Sequence, residues 1–247
     1  MATSASSAIT TFLVPVHPEW YEIVSQALQV VDADYVKLLL QDQTWLPNKN
    51  NIFAAFSQPL SSVRYILFGE SPYPRSVSAN GYAFWDNAIA ALWSMKGFSL
   101  EVNRATSLRN LLKMLLVARG DLGHDVSQTA IALLDKNCYW QTAAQFFNGW
   151  LQQGFLLLNA SLVYEQNNIN YHARHWLPFI HSILRQLDNK HDEVTLILFG
   201  SIAAKIIKQT ELPYVLFMHP YNLQFIHDAS VLQFFQPFDF LLERNLL

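Results

Sequence analysis

Apolar positions recur along this chain in two rhythms. Between Glu19 and Leu40, residues Ile23, Val24, Ala27, Leu28 and Val31 fall three and four apart, the spacing of one helix face. That stretch predicts one or two amphipathic helices. Helices are also predicted over Leu108–Val117, Thr142–Gln153, Trp176–Leu187, Ile202–Gln209 and Val231–Asn245, with Gly154 ending the second of these. Four shorter runs are apolar but for Arg64 and Thr195: Val63–Phe68, Phe155–Leu158, Val194–Phe199 and Tyr214–Met218. Short runs without alternation are strands buried on both faces. Strands alternating with helices predict an α/β fold, a three-layer α/β/α arrangement around a central four-stranded, mostly parallel sheet. No repeat or low-complexity linker interrupts the pattern. Residues 16–247 are therefore expected to form a single domain behind a disordered or flexible stretch, 1–15.

Ligands of such sheets bind beyond the carboxyl ends of the strands. That rule directs attention to Gly69-Glu70-Ser71-Pro72-Tyr73, Asn159-Ala160-Ser161, Gly200-Ser201 and His219-Pro220-Tyr221-Asn222. Carboxylate, amide, hydroxyl and imidazole groups stand at these ends.

Composition narrows the classes of function. Apolar residues make up 51% and charged residues 14%, which suits a packed core and excludes a disordered chain. The net charge of −3 is unlike that of a non-specific nucleic-acid binder, so any DNA contact must come from a local face. The single cysteine, Cys138, makes no internal disulfide and fits a reducing compartment. Met1–Ile9 lacks the basic-then-apolar pattern of a signal peptide, and no apolar run approaches the roughly 20 residues of a membrane span. The expected location is cytoplasmic, or nuclear in a eukaryote, with no membrane partner. His172 and His175 lack a third ligand nearby, so no metal is expected. There is no G-x-G-x-x-G, Walker or G-x-S-x-G motif, and Ser71 has no sequence neighbour to activate it.

Five segments, in order, resemble the motifs of family 1 uracil-DNA glycosylases. Val63–Phe84 (V-R-Y-I-L-F-G-E-S-P-Y-P-R-S-V-S-A-N-G-Y-A-F) is similar to that family's first active-site motif, G-Q-D-P-Y-H followed by A-H-G-L-A-F. Ile52–Phe56 resembles its approach segment and Ser107-Leu108-Arg109-Asn110 its S-L-R-N. Gly154–Asn159 resembles its G-V-L-L-L-N strand, and His219–Leu223 stands where the family has H-P-S-P-L.

The resemblance implies a monofunctional DNA N-glycosylase, a monomer without cofactor, that flips a base out of duplex or single-stranded DNA and hydrolyses its N-glycosidic bond. Uracil is the first candidate base. A modified pyrimidine is the second. A catalytically silent protein that binds DNA or a protein partner is the third. By position, Tyr73 walls the pocket against a 5-methyl group and Phe84 stacks on the base. Asn159 reads the base's polar edge, and His219 bonds the oxygen where charge collects. Leu223 fills the gap in the duplex. Pro72, Pro74, Arg75, Ser161, His172, Tyr221 and Asn222 are expected near DNA, His172 at the place of the family's Ser-His pair with Tyr171 for the Ser.

The catalytic loop departs from the pattern. Ser71 replaces the water-orienting Asp, and Glu70 replaces Gln. G-E-x-P resembles the family 4 thermostable glycosylases, and the Pro at 74 resembles poxviral relatives. The carboxylate that such chemistry needs is expected from Glu70, directly or through a water.

Overall fold

The structure, a computed structural model, describes residues 15–42, 44–188 and 194–242. The stretch expected to be flexible lies outside the described residues except for Pro15. In chain order the helices and strands are α1 (Tyr21–Gln29), α2 (Ala33–Gln41), β1 (Tyr65–Gly69), β2 (Trp93–Ser94), β3 (Gly97–Phe98), α3 (Leu100–Arg104), α4 (Thr106–Arg119) and α5 (Gln128–Ala132). They continue with α6 (Ala143–Gln152), β4 (Phe155–Asn159), α7 (Ile169–Asp188), β5 (Thr195–Phe199), α8 (Ala203–Ile206), β6 (Tyr214–Phe217) and α9 (Ala229–Phe235).

All four runs are strands of one sheet, in the order β4-β1-β5-β6, but β6, expected to be buried on both faces, lies at the sheet edge with Tyr214 and Leu216 exposed. β1 lies parallel to both β4 and β5. Gly69 is level with Asn159 in that register, so the loops leaving β1 and β4 start side by side. Every residue of β4 is buried, which is why its sequence shows no alternation.

The chain divides into two compact units, one of residues up to Trp85 with Gly154–Val215, the other of Asp86–Gln153 with residues from Leu216 onward. In the first, one core joins Ile23 and Val24 of α1, Tyr35 and Leu39 of α2, and Trp176 and Phe179 of α7 to Ile66, Leu156 and Leu196 of the sheet. Each such side chain contributes roughly 1.5–3 kcal/mol on burial. Leu67, Leu157 and Ile197, at the alternate positions, are buried as well, so β1, β4 and β5 are covered on both faces. In the second unit, Phe146, Trp150, Phe235 and Phe240 are buried together, and Trp150 stacks on Phe240 at 3.9 Å between ring centroids. Thr142 and Gln145 close a capping box at the start of α6.

Three predicted helices differ. α7 starts at Ile169, well before Trp176, because Asn, Tyr and His residues carry its first turns and hide the apolar rhythm. Ile202–Gln209 breaks into a 3-10 turn (Gly200–Ile202), α8 and a second 3-10 turn (Ile207–Gln209). The tail helix ends at Phe235, short of Pro237, whose ring removes a ladder N–H. Of its predicted remainder, 243–245 lies outside the described residues. The short hairpin β2–β3 and the buried 3-10 turn Ala54–Ser57 leave no periodic signal in sequence.

Candidate functional site

The first unit brings Tyr73, Phe84 and Asn159 together at the end of β1. Gly69 makes this possible. A Cβ there would stand 2.5 Å from Asn159 Oδ1 and 2.8 Å from the Ala83 Cβ, so only glycine permits the approach. The Ala83 N–H donates to the Leu157 carbonyl at 3.1 Å, tying this segment to β4. Phe84 follows with φ of 63°, left-handed backbone that a bulky residue rarely adopts. Its ring meets Phe199 edge-on at 5.5 Å, and the Tyr73 hydroxyl donates to its carbonyl at 3.1 Å. Asn159 is 2% exposed, and its Nδ2 has no hydrogen-bond partner in the protein. An unmet buried N–H of this kind costs about 1–3 kcal/mol, so the amide is held ready for an acceptor from outside.

Glu70 is exposed and Ser71 half-buried beside this cluster. Their loop is fastened from β4's side. The Ala160 N–H donates to the Gly69 carbonyl at 2.9 Å and the Ser161 N–H to the Glu70 carbonyl at 3.0 Å. A cavity of about 550 Å³ opens there, bordered by Glu70, Ser71, Ala160 and Ser161, with the first turns of α7 as its other wall.

Three of the residues expected near DNA lie inside the fold. Pro72 is buried. Ser161 is 1% exposed, and its hydroxyl donates to the Val163 carbonyl at 2.8 Å. His172 is 1% exposed, with Nδ1 2.7 Å from the Tyr35 hydroxyl and Nε2 3.1 Å from Glu165 Oε2. It therefore clamps α7 to α2 and has no nitrogen left for a phosphate. The Asn168 amide and, after it, His172 hold the Glu165 carboxyl below the usual range. Pro74 and Arg75 are exposed.

The second unit carries the remaining candidates. His219 is exposed, and its Nδ1 accepts the Tyr221 N–H at 3.0 Å. The neutral ring therefore carries its proton on Nε2. Asn222 caps the next 3-10 turn, Leu223–His227, by accepting the Gln224 N–H at 3.0 Å. Tyr221 and Leu223 project from this loop, the latter 66% exposed. An unpacked leucine at the head of a turn is available to insert elsewhere.

Asn110 had no role assigned from sequence. It is fully buried in α4, and its Nδ2 donates to the Pro220 carbonyl at 2.8 Å. It thus anchors the loop that bears His219. The signal for it was an amide at a core position of a helix, a costly choice unless it bonds. Among the described residues, no cluster of His, Cys, Asp or Glu could hold a metal ion, and no helix is long and apolar enough to cross a membrane.

The family model of the uracil DNA glycosylase superfamily matches residues 57–241, well over half of the chain. A UNG crystal structure from Nitratifractor salsuginis is 38% identical, with a TM-score of 0.89 over 98% of this chain and 97% of that one. The uracil-DNA glycosylase of Fusobacterium nucleatum is 27% identical over 76% of this chain and 73% of its own length. Mimivirus uracil-DNA glycosylase, at 17% identity and a TM-score of 0.58 over 83% of this chain and 70% of that one, shares the fold. By the extent of the family match and the 38% relative, this chain belongs to the uracil-DNA glycosylase superfamily.

Proposed function

We propose that this protein removes uracil from DNA by flipping the nucleotide and hydrolysing its N-glycosidic bond. The observation that carries the reading is Asn159, a buried amide with an unpartnered Nδ2 at the carboxyl end of a parallel strand, with Phe84 and Tyr73 beside it. A pyrimidine carbonyl is the acceptor such a donor lacks, and the phenyl ring supplies a stacking face. Tyr73, held by its bond to the Phe84 carbonyl, is the group to exclude a 5-methyl substituent.

The chemistry follows from these groups. The C1′–N bond breaks with its electron pair leaving on the base. Asn159 and the Nε2–H of His219 are proposed to donate to the base oxygens as that charge grows. A water adds to the sugar carbon and gives its proton to the Glu70 carboxylate, the acidic group of a loop that has Ser71 where the family has Asp. Leu223 is proposed to fill the space the base leaves, with Pro74, Arg75, Tyr221 and Asn222 near the strand. DNA is the partner, and a monomer suffices because one flipped base occupies one pocket.

The test is excision from a uracil-containing oligonucleotide by the wild type and by Glu70→Gln. A loss of about 10²-fold or more in kcat supports Glu70 as the base. Unchanged excision removes Glu70 from the mechanism. The neutral Ser71 favours a second reading, a shifted preference for a modified pyrimidine. A panel of base-modified duplexes separates the two, and release of uracil alone ends the second.

A further inference from the structure

The cavity beside Glu70 and Ser71 is larger than a pyrimidine requires, and none of Tyr73, Phe84 and Asn159 lines it. Its wall on α7 is built in two kinds. Ile169, Ala173 and Leu177 follow one another at helical spacing and present apolar surface. Asn170 and Arg174 stand among them, and Lys205 of α8 joins the lining. The charge is thus divided by element. The cations belong to the helices, and the one carboxylate, Glu70, belongs to the β1 loop. In a chain with net charge −3, two cations at one cavity are a local departure from the average.

An apolar wall, an amide and two cations suit one chemical class, a nucleotide. A base face covers the aliphatic side chains, the amide meets a base edge, and the phosphate pairs with the guanidinium and ammonium groups. Arg174 also donates through Nε to the Asn170 carbonyl at 3.3 Å, which links the amide-bearing and cationic residues of the wall. Because Glu70 repels a phosphate, the phosphate belongs at the helix side.

We propose that this cavity is a second nucleotide subsite, which takes the neighbour of the flipped nucleotide on the same strand, with its phosphate at Arg174 and Lys205 and its base against Ile169, Ala173 and Leu177. The inference rests on the uracil-excision reading, since Glu70 and Ser71 border both the cavity and the proposed reaction centre.

The experiment is an affinity ladder on the full chain. Single-stranded oligonucleotides carrying one non-hydrolysable 2′-fluoroarabino-uracil nucleotide are lengthened one residue at a time, on the 5′ side and on the 3′ side. Anisotropy gives the affinity of each. One side is expected to show a gain of about tenfold when the adjoining nucleotide is added, the effect of a phosphate contact plus a covered base face. Ala173→Phe, which fills the cavity, is expected to erase that gain. Arg174→Gln is expected to lower the slope of log affinity against log salt by about 0.7, the share of one phosphate on a single strand. A gain that survives both substitutions, or no gain on either side, overturns the subsite. Free dAMP is the remaining arm. Competition by dAMP that depends on Arg174, together with a flat ladder, means a free-nucleotide site and refutes the strand subsite. If uracil is never released from substrate, the glycosylase reading fails, while the ladder still decides this one because it needs no turnover.

Discussion

Substituting Gly69 with alanine tests the packing and the proposed chemistry in one variant. The added Cβ would lie 2.5 Å from Asn159 Oδ1 and 2.8 Å from Ala83 Cβ, where real Cβ atoms essentially never come below 3.0 Å. The amide must retreat from 2.5 Å to at least 3.0 Å, yet Asn159 is 2% exposed and has little room. Overpacking of this kind costs about 1–3 kcal/mol. For a chain of this size, about 2 kcal/mol lowers Tm by roughly 4–8 °C. A displaced amide also loses its proposed bonds to the base, worth roughly 1–3 kcal/mol, or about fivefold to 150-fold in kcat/KM. The assay is differential scanning calorimetry beside single-turnover uracil excision. A Tm and kcat/KM both equal to wild type refute the close approach of β1 and β4. A lowered Tm with intact excision leaves the packing standing and removes Asn159 from the chemistry.

Leu223→Ala is expected to leave stability within about 0.5 kcal/mol, since the side chain is already 66% exposed; excision should fall on duplex and persist on single strands, and equal losses on both refute the wedge role. Glu165 has a depressed folded-state pKa, so the stability it adds is present above its unfolded value near 4.5 and is lost as pH falls through the lower folded value. Glu165→Gln should flatten that acid limb of a urea-midpoint against pH curve, and an unaltered limb refutes the assignment. Gly154 and Gly120 both have positive φ, but a Cβ on Gly154 would meet the Ser62 carbonyl at 2.6 Å whereas one on Gly120 meets nothing within 4 Å. Gly154→Ala should therefore destabilise more than Gly120→Ala, which should cost about 1 kcal/mol in urea unfolding; equal costs contradict the packing at Gly154.

Much of the architecture could be read from the chain itself. A strand covered on both faces must be apolar at successive positions, so β1, β4 and β5 announced themselves without any partner being known, whereas β6 is apolar although Tyr214 and Leu216 are exposed. The amphipathic helices did so where one face alone was buried, as in α1 and α4. The motif loops followed, because parallel strands put their ligand-facing turns at one end, and that turned short matches around Gly69, Asn159 and His219 into candidates.

Tertiary structure decided the rest, because burial and partnership depend on residues far away in sequence. His172 was expected near DNA and is a clamp, since Tyr35 and Glu165 take both its nitrogens. Ser161 looked like a phosphate contact and is spent on a backbone carbonyl. Asn110 looked like motif and proved to be the anchor of the His219 loop. The cavity walled by Ile169, Arg174 and Lys205 had no sequence signature at all, because it is formed by a strand-end loop and two helices that only folding brings together. Local periodicity records which faces are apolar, and only the packed chain records which polar atoms have already found a partner.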